Sequence, residues 1–312
     1  MTQLTSQQLY NMYRKGFSGC ISEPHVFDYY MEHAKYAYFS DGSKKIKDSG
    51  KGKLSTPYKS LLKFDKGAFS ERQTLGDCTS HSTRNACDIS RAVEIDLHKE
   101  REAWIARGAT ETIYGQRGHG GEGSSCVRTV DFVTKVGGII ARKNYPGIAD
   151  FSKYNGSMGG RWGSRGLPDK VLELANKHKM KTASLVRTVE EARDALANGY
   201  GITVCSMYGF SNKRDSKGFA KPQGSWAHAM VWAACDDTGS DGPAFLICNS
   251  WGKGWNSGGH PEWGPIPDGS FLIKADVAAG MLRGGGAFAI SNFDGFPLQK
   301  LPNYGFDYLK SD

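Results

Sequence analysis

The sequence has little of what an exported or membrane-bound protein needs. No apolar run approaches the about 20 residues required to cross a bilayer, and the start, MTQLTSQQLYNMYRKG, lacks the apolar core of a signal peptide. We therefore expect no membrane span and no secretion through a signal peptide. The seven cysteines are odd in number and dispersed, mostly in apolar segments, which is typical of free thiols in a reducing compartment such as the cytoplasm.

Signals for nucleic-acid, metal and nucleotide binding are missing as well. Lys and Arg number 40 against 32 Asp and Glu, but this net charge of +8 is scattered, without a basic helix or zinc-finger spacing, so we expect no specific nucleic-acid partner. His98, His119, His178 and His260 have no paired ligands at metal spacing, so no metal site is predicted. The loop GQRGHGGEG lacks the Lys-Ser/Thr ending of a phosphate loop, and no cofactor is predicted.

The 312 residues suffice for one large domain or two ordinary ones. Helical periodicity dominates the first half. A helix beginning near Cys78 carries apolar residues on one face, at Ala86, Ile89, Val93 and Leu97. Further helices are predicted from about 125 to 136, after Pro168, and after Thr188, which with Glu191 forms a capping box.

After Gly199 the pattern changes to short β-branched or aromatic runs, namely ITVCSMYGF, HAMVWAAC, AFLICNSW, SFLIK and AFAIS. Such runs, separated by Gly, Pro and Asp, predict antiparallel strands. A helical half followed by a strand-rich half predicts an α+β protein whose two lobes face each other across a cleft.

Three segments have the residue types of thiol catalysis. Cys78 lies at the start of its helix, where the positive helix end favours a thiolate, and Asp77 is placed to cap that helix. His228 begins a strand and is the candidate acid and base, while Asn249, at the end of another strand, is placed to accept a ring N–H and fix the tautomer. Trp251, two residues on, is placed to shield that hydrogen bond.

The order Gln, Cys, His, Asn, with NSWGKGW after the histidine strand, resembles the papain-like cysteine peptidases over roughly residues 70 to 275. The resemblance implies Cys78 as nucleophile, His228 as acid and base, Asn249 as the residue that orients it, and Gln73 as an oxyanion donor with the Cys78 backbone N–H. Among these peptidases, the Gln-x-x-Gly-Asp-Cys box is similar to that of phage-encoded and bacterial members.

The resemblance also implies an architecture. A helical lobe of about 70–180, led by the Cys78 helix, would face an antiparallel, β-barrel-like lobe of about 181–275. Residues 1–69 would form an N-terminal extension and residues 276–312 a C-terminal extension.

Departures from the family pattern leave the substrate contacts open. The family's Gly-Gly segment has no plain counterpart, and Gly121, Gly123 or Ser124 are the alternatives for binding substrate backbone. Ala227 and Ala229 flank His228 and would leave room for a bulky apolar side chain, and Trp251 completes the expected substrate-binding set.

Besides His228, a second histidine is a candidate for the catalytic base. His81 lies one helical turn after Cys78, but a helix directs it away from the N-terminal tip, which favours a hydrogen-bonded core histidine over a catalytic base.

Three functions remain in competition. The first is a cysteine peptidase that cleaves peptide or protein substrates, carried as part of a virus particle or similar assembly together with its other subunits. The second is a structural virion or assembly protein that keeps the fold with little or no proteolysis, since a fold does not fix a function. The third is an amidase of cell-wall peptides.

Overall fold

The computed structural model describes Cys20, Phe39, residues 44–99 and residues 107–298. Eight α-helices occur in this part of the chain. They are α1 (Tyr58–Phe64), α2 (Cys78–His98), α3 (Thr110–Gly115), α4 (Cys126–Asp131), α5 (Gly156–Arg165), α6 (Asp169–Asn176), α7 (Val189–Ala197) and α8 (Ala275–Leu282). A 3-10 turn spans Lys44–Ile46, and α4 continues as a π-helical segment over Phe132–Val136.

The four predicted helices are confirmed, and local chemistry explains their ends. Thr188 caps α7 by accepting a hydrogen bond of 3.2 Å from the N–H of Glu191, whose carboxylate accepts one of 2.7 Å from the N–H of Arg187. Helix α2 ends at His98, where Lys99 adopts a left-handed conformation with φ of 57°. Asp77 is the N-cap residue of α2, as predicted, but its carboxylate makes no capping hydrogen bond.

The strands form a largely antiparallel sheet, and the five predicted runs all lie in it. Its members are β1 (Leu54–Ser55), β4 (Thr182–Leu185), β5 (Ile202–Arg214), β6 (Ala220–Asp236), β7 (Ala244–Cys248), β8 (Ser257–Gly258), β9 (Ser270–Ile273) and β10 (Gly286–Ser291). The strands β2 (Asn144–Tyr145) and β3 (Ala149–Asp150) form a separate hairpin.

The main order is β4-β10-β5-β6-β7-β9, an open path, so the predicted barrel-like lobe is a sheet without closure among the described residues. Strand β10 comes from the segment predicted as a C-terminal extension. It lies between β4 and β5 and pairs with both. This part of the extension is therefore built into the sheet.

Apolar side chains cover both faces of the sheet. Along β6, Ala229 and Val231 pack in the cluster that includes the helical lobe, whereas Met230 and Trp232 pack in a second cluster with α7 and α8. Helix α2 lies so close to the sheet that a Cβ at Gly201 would be 2.4 Å from the carbonyl oxygen of Ala86. Close packing at this contact fixes the N-terminus of α2 relative to β5 and β6.

Two of the seven cysteines are joined. Cys126, the first residue of α4, forms a disulfide with Cys205 in β5, with their Cα atoms 6.0 Å apart. The prediction of free thiols is wrong for this pair, because the fold brings together two cysteines that lie 79 residues apart in the chain. Cys20, Cys78, Cys87, Cys235 and Cys248 are buried and form no disulfide with one another. Within the described ranges, no helix is both long and apolar enough to cross a membrane.

Candidate active site

Cys78 is the first residue of α2, and its side chain is completely buried. The carbonyl of Asp77 accepts the first helical hydrogen bonds, of 3.0 Å from the N–H of Ser80 and 3.1 Å from that of His81. The sulfur therefore lies at the helix end where N–H groups point outward and the potential is positive. Helix α2 packs against β6, the strand that carries His228.

His228 and Asn249 form a direct pair. His228 Nε2 lies 2.8 Å from Oδ1 of Asn249, which also accepts a hydrogen bond of 2.7 Å from the N–H of Ser250. The second acceptor contact fixes the amide orientation, so Nε2 carries the imidazole proton. Nδ1 is buried and, among the described residues, has no hydrogen-bond partner. The proton-accepting nitrogen of the neutral ring is therefore Nδ1.

Burial also sets the charge of this ring. The pKa of His228 is lowered to about 4, mainly because the ring is completely buried. The hydrogen bond to Asn249 raises this pKa and the electrostatic effect of His81 lowers it. The imidazole is therefore neutral at pH 7 in this structure. A neutral histidine whose Nδ1 lone pair is available to accept a proton is in the form required of a general base.

Gln73 links the nucleophile loop to the segment after Asn249. Its backbone N–H donates to the carbonyl of Ser250 over 2.8 Å, and its side-chain Oε1 accepts from the Ser250 hydroxyl. Nε2 donates one hydrogen to the carbonyl of Leu75 over 2.8 Å. Because an amide nitrogen carries two hydrogens, one donor remains beyond that contact.

The segment of residues 121–124 lies beside the nucleophile loop. Glu122 accepts a hydrogen bond of 2.7 Å from the N–H of Gly76, and the hydroxyl of Tyr114 accepts one of 3.0 Å from the N–H of Gly123. Gly123 has a φ of 92°, which a residue with a side chain rarely adopts. These contacts hold Gly123 and the buried Ser124 close to the loop that ends at Cys78.

Aromatic rings cover the other side of His228. The ring of Trp251 lies 4.6 Å from the imidazole, centroid to centroid, and Trp226 lies 4.8 Å from Trp251. Trp255 lies 5.1 Å from Trp251 and extends the cluster. Trp251 thus screens the histidine from water, whereas Ala229 is buried opposite Cys205.

The chain at Cys20 joins both lobes next to this site. The N–H of Cys20 donates to the carbonyl of Ala227 over 3.1 Å, and Cys20 makes a parallel β-bridge with Ser124. Nothing in the local sequence pattern around Cys20 predicts this contact. The roles of Glu122 and Tyr114 also escaped sequence analysis, whereas Ser250 lies inside the motif NSWGKGW.

In the described ranges, no group of three or more His, Cys, Asp or Glu side chains is arranged to hold a metal ion. The predicted site residues Cys78, His228 and Gln73 carry a thiol, an imidazole and a side-chain amide.

No family model matches the chain, and no curated protein matches it either. Solved structures, in contrast, do match the chain. Xylellain, a cysteine protease from Xylella fastidiosa, is similar with a TM-score of 0.57 and 14% identity over 90% of this chain and 97% of the other. A recombinant stem bromelain precursor is similar with a TM-score of 0.51 and 16% identity, over 91% of this chain and 80% of the other. With the helical lobe, the sheet and the Cys-His-Asn order described above, these likenesses show that the chain has the papain-like cysteine protease fold.

Proposed function

We propose that the chain is a cysteine peptidase that hydrolyses peptide bonds with Cys78 as its nucleophile. The observation that carries this proposal is the pair of His228 and Asn249. Asn249 engages Nε2 and leaves Nδ1 buried and unsatisfied among the described residues. A buried polar atom without a partner costs free energy, so its retention favours a chemical role.

In the proposed reaction, the Cys78 thiol transfers its proton to Nδ1 of His228 as the sulfur attacks the carbonyl carbon of the substrate. The carbonyl oxygen takes the negative charge and accepts hydrogen bonds from the backbone N–H of Cys78 and from Nε2 of Gln73. His228 then returns the proton to the leaving amine as the carbon–nitrogen bond breaks. Water attacks the resulting thioester, again with His228 as base, and releases the acid and the free thiol.

The residues around Cys78 and His228 would bind the substrate. Backbone at Gly123 and Ser124 would pair with an extended substrate strand, as the bridge from Cys20 to Ser124 does in this structure. The short side chains of Ala227 and Ala229 flank His228 in the chain, and Trp251 would border the leaving-group side. The specificity for a bulky apolar side chain near the cleaved bond follows from the small residues around His228.

Peptide hydrolysis by wild type, Cys78→Ala and Cys87→Ala tests the proposal. Cys87 is a matched control because it lies on the same helix, is fully buried, and has a thiol pKa raised by burial. Cleavage of an unfolded protein substrate should disappear in Cys78→Ala and persist in Cys87→Ala. Cleavage that survives in Cys78→Ala would contradict the proposed nucleophile.

The complete burial of Cys78 favours a second candidate, an assembly protein that keeps the fold without proteolysis. Both proposed functions include incorporation of the protein into a virus particle. If the assembly function is the correct one, Cys78→Ala particles form normally and no condition that exposes Cys78 produces cleavage. Cleavage that depends on Cys78 would exclude the version without catalysis.

A further inference from the structure

A buried charged cluster lies directly behind the nucleophile. His81 lies three residues after Cys78 in the first turn of α2, so the two side chains are neighbours on the helix surface. The His81 side chain is completely buried. Its Nε2 is 3.4 Å from Oδ2 of Asp77, and its Nδ1 is 3.9 Å from Oε2 of Glu71.

The two carboxylates have different surroundings. Glu71 also contacts Arg142 at 2.9 Å, Arg107 at 3.3 Å and Arg84 at 3.5 Å. Burial raises the pKa of Glu71, but Arg84, His81, Arg142 and Arg107 together lower it to about 2. Asp77 accepts a hydrogen bond of 2.8 Å from the Tyr154 hydroxyl. Within the described part of the chain, His81 is the one basic side chain that pairs with Asp77.

This arrangement matters because Asp77 is only 2% exposed and is adjacent to Cys78. A buried carboxylate disfavours a second negative charge nearby, so Asp77 alone would oppose ionisation of the thiol. The His81 ring lies within ion-pair distance of Asp77, and in its protonated form it offsets that charge. The groups that face His81 are Asp77 and Glu71 from the preceding loop, Arg84 from α2, Tyr154 from the loop before α5, and His228 within electrostatic range from β6.

The same cluster reaches solvent. Glu71, Arg107, Arg142 and Tyr154 line an open pocket of about 490 Å³. Protons from solvent therefore have access to the cluster through this pocket.

We propose that His81 is a positioning residue of the thiol site, which pairs with Asp77 at the start of α2 and thereby offsets the charge that opposes formation of the Cys78 thiolate. This inference rests on the proposed role of Cys78 as nucleophile. It assigns a function to a second histidine that does not touch substrate and acts through Asp77.

The test follows the ultraviolet absorbance of the Cys78 thiolate in the full chain as a function of pH. Each protein is compared with its Cys78→Ser counterpart, so the other thiols cancel. Asp77→Asn should move the midpoint to lower pH, because it removes the charge and keeps an acceptor for Tyr154. His81→Gln should move it to higher pH. Each shift should be about one unit, a tenfold change in the thiolate population.

The double variant Asp77→Asn/His81→Gln separates an action through Asp77 from an independent one. The shift caused by His81→Gln should be at least halved in the Asp77→Asn background. A shift that keeps more than half its size there, or no shift in the wild-type background, overturns the proposal. Should His81→Gln fail to fold by near-ultraviolet circular dichroism, Asp77→Asn decides, and an unchanged midpoint overturns the proposal.

The same titration separates this inference from the proposed function. If wild-type Cys78 ionises no more readily than Cys87, measured with Cys87→Ser as reference, the nucleophile assignment itself fails. If Cys78 ionises more readily but the His81 and Asp77 variants leave its midpoint in place, only the role of His81 fails.

Discussion

The backbone N–H of Cys20 donates a hydrogen bond of 3.1 Å to the carbonyl of Ala227, the residue immediately before His228. With the bridge to Ser124, this contact places the chain at Cys20 across both sides of the proposed cleft. Cys78 is completely buried in the same structure. We infer that the proposed cleft is closed at Cys20 in this structure.

Cys20→Pro should expose Cys78, because proline has no N–H to donate to Ala227. We expect alkylation of Cys78 by iodoacetamide to become at least about tenfold faster, the effect of about 1.4 kcal/mol, which is comparable to one lost hydrogen bond. Cys20→Ser, which keeps the N–H, is the control and should react at the wild-type rate. Equal rates in Cys20→Pro and wild type, measured by mass spectrometry of the modified peptide, would contradict the closed-state interpretation.

Asn249→Ala should reduce kcat for peptide hydrolysis by on the order of 100-fold, because the imidazole loses the acceptor that fixes its tautomer. The hydrogen bond that Asn249 Oδ1 accepts from His228 raises the pKa of His228, so its loss should also move the acidic limb of the pH profile to lower pH. Asn256→Ala is the control, since Asn256 is buried but donates to the carbonyl of Ser211 instead. A full-rate Asn249→Ala enzyme would remove Asn249 from the mechanism.

His228 should make the protein less stable in acid. Its folded-state pKa, about 4, is below the ordinary value of 6.5, so the unfolded chain takes up the proton first. Stability from this group is complete above pH 6.5 and is lost as the pH falls towards 4, by on the order of 3 kcal/mol.

Urea unfolding of wild type and His228→Gln between pH 7 and 4 measures this contribution. The difference between the two proteins isolates His228, because Asp88, whose pKa is raised to about 6 by burial, titrates in the same range in both. His260→Gln is the control. Parallel stability curves for wild type and His228→Gln would show that His228 is not held neutral by the fold.

The disulfide should contribute roughly 4 kcal/mol to stability, the order expected for a bond that closes a loop of 79 residues. Dithiothreitol should lower the Tm of wild type and leave that of Cys126→Ala/Cys205→Ala unchanged. Calorimetry with and without reductant measures both. A Tm of wild type that does not respond to reductant, with the thiols shown to be free, would contradict this expectation.

Local patterns were enough to predict the framework. The spacing of Ala86, Ile89 and Val93 marks an apolar face of α2, a helix that is buried all round up to Glu94, and the capping pair Thr188 and Glu191 marks the start of α7. These features were predictable because each depends on residues within one or two turns of each other. The five strands were readable for the same reason, since β-branched and aromatic runs bounded by Gly and Pro are local signals.

Long-range pairings were not readable in this way. Cys126 and Cys205 are separated by 79 residues, and Cys20 meets Ser124 and Ala227 from still farther along the chain. Asp77 illustrates the same limit at short range. Its position favours a helix cap, but its carboxylate instead contacts Tyr154, which the fold brings in, and His81, four residues later on the same helix.

The bond from Cys126 to Cys205 has a consequence for the size of what can enter. Cys126 follows Ser124 by two residues, and Cys205 lies opposite Ala229, the residue after His228. The disulfide therefore links the two sides of the proposed cleft and limits how far they can separate. A cleft limited in this way admits a single extended polypeptide far more readily than a folded loop. Unfolded chains should therefore be the preferred substrates.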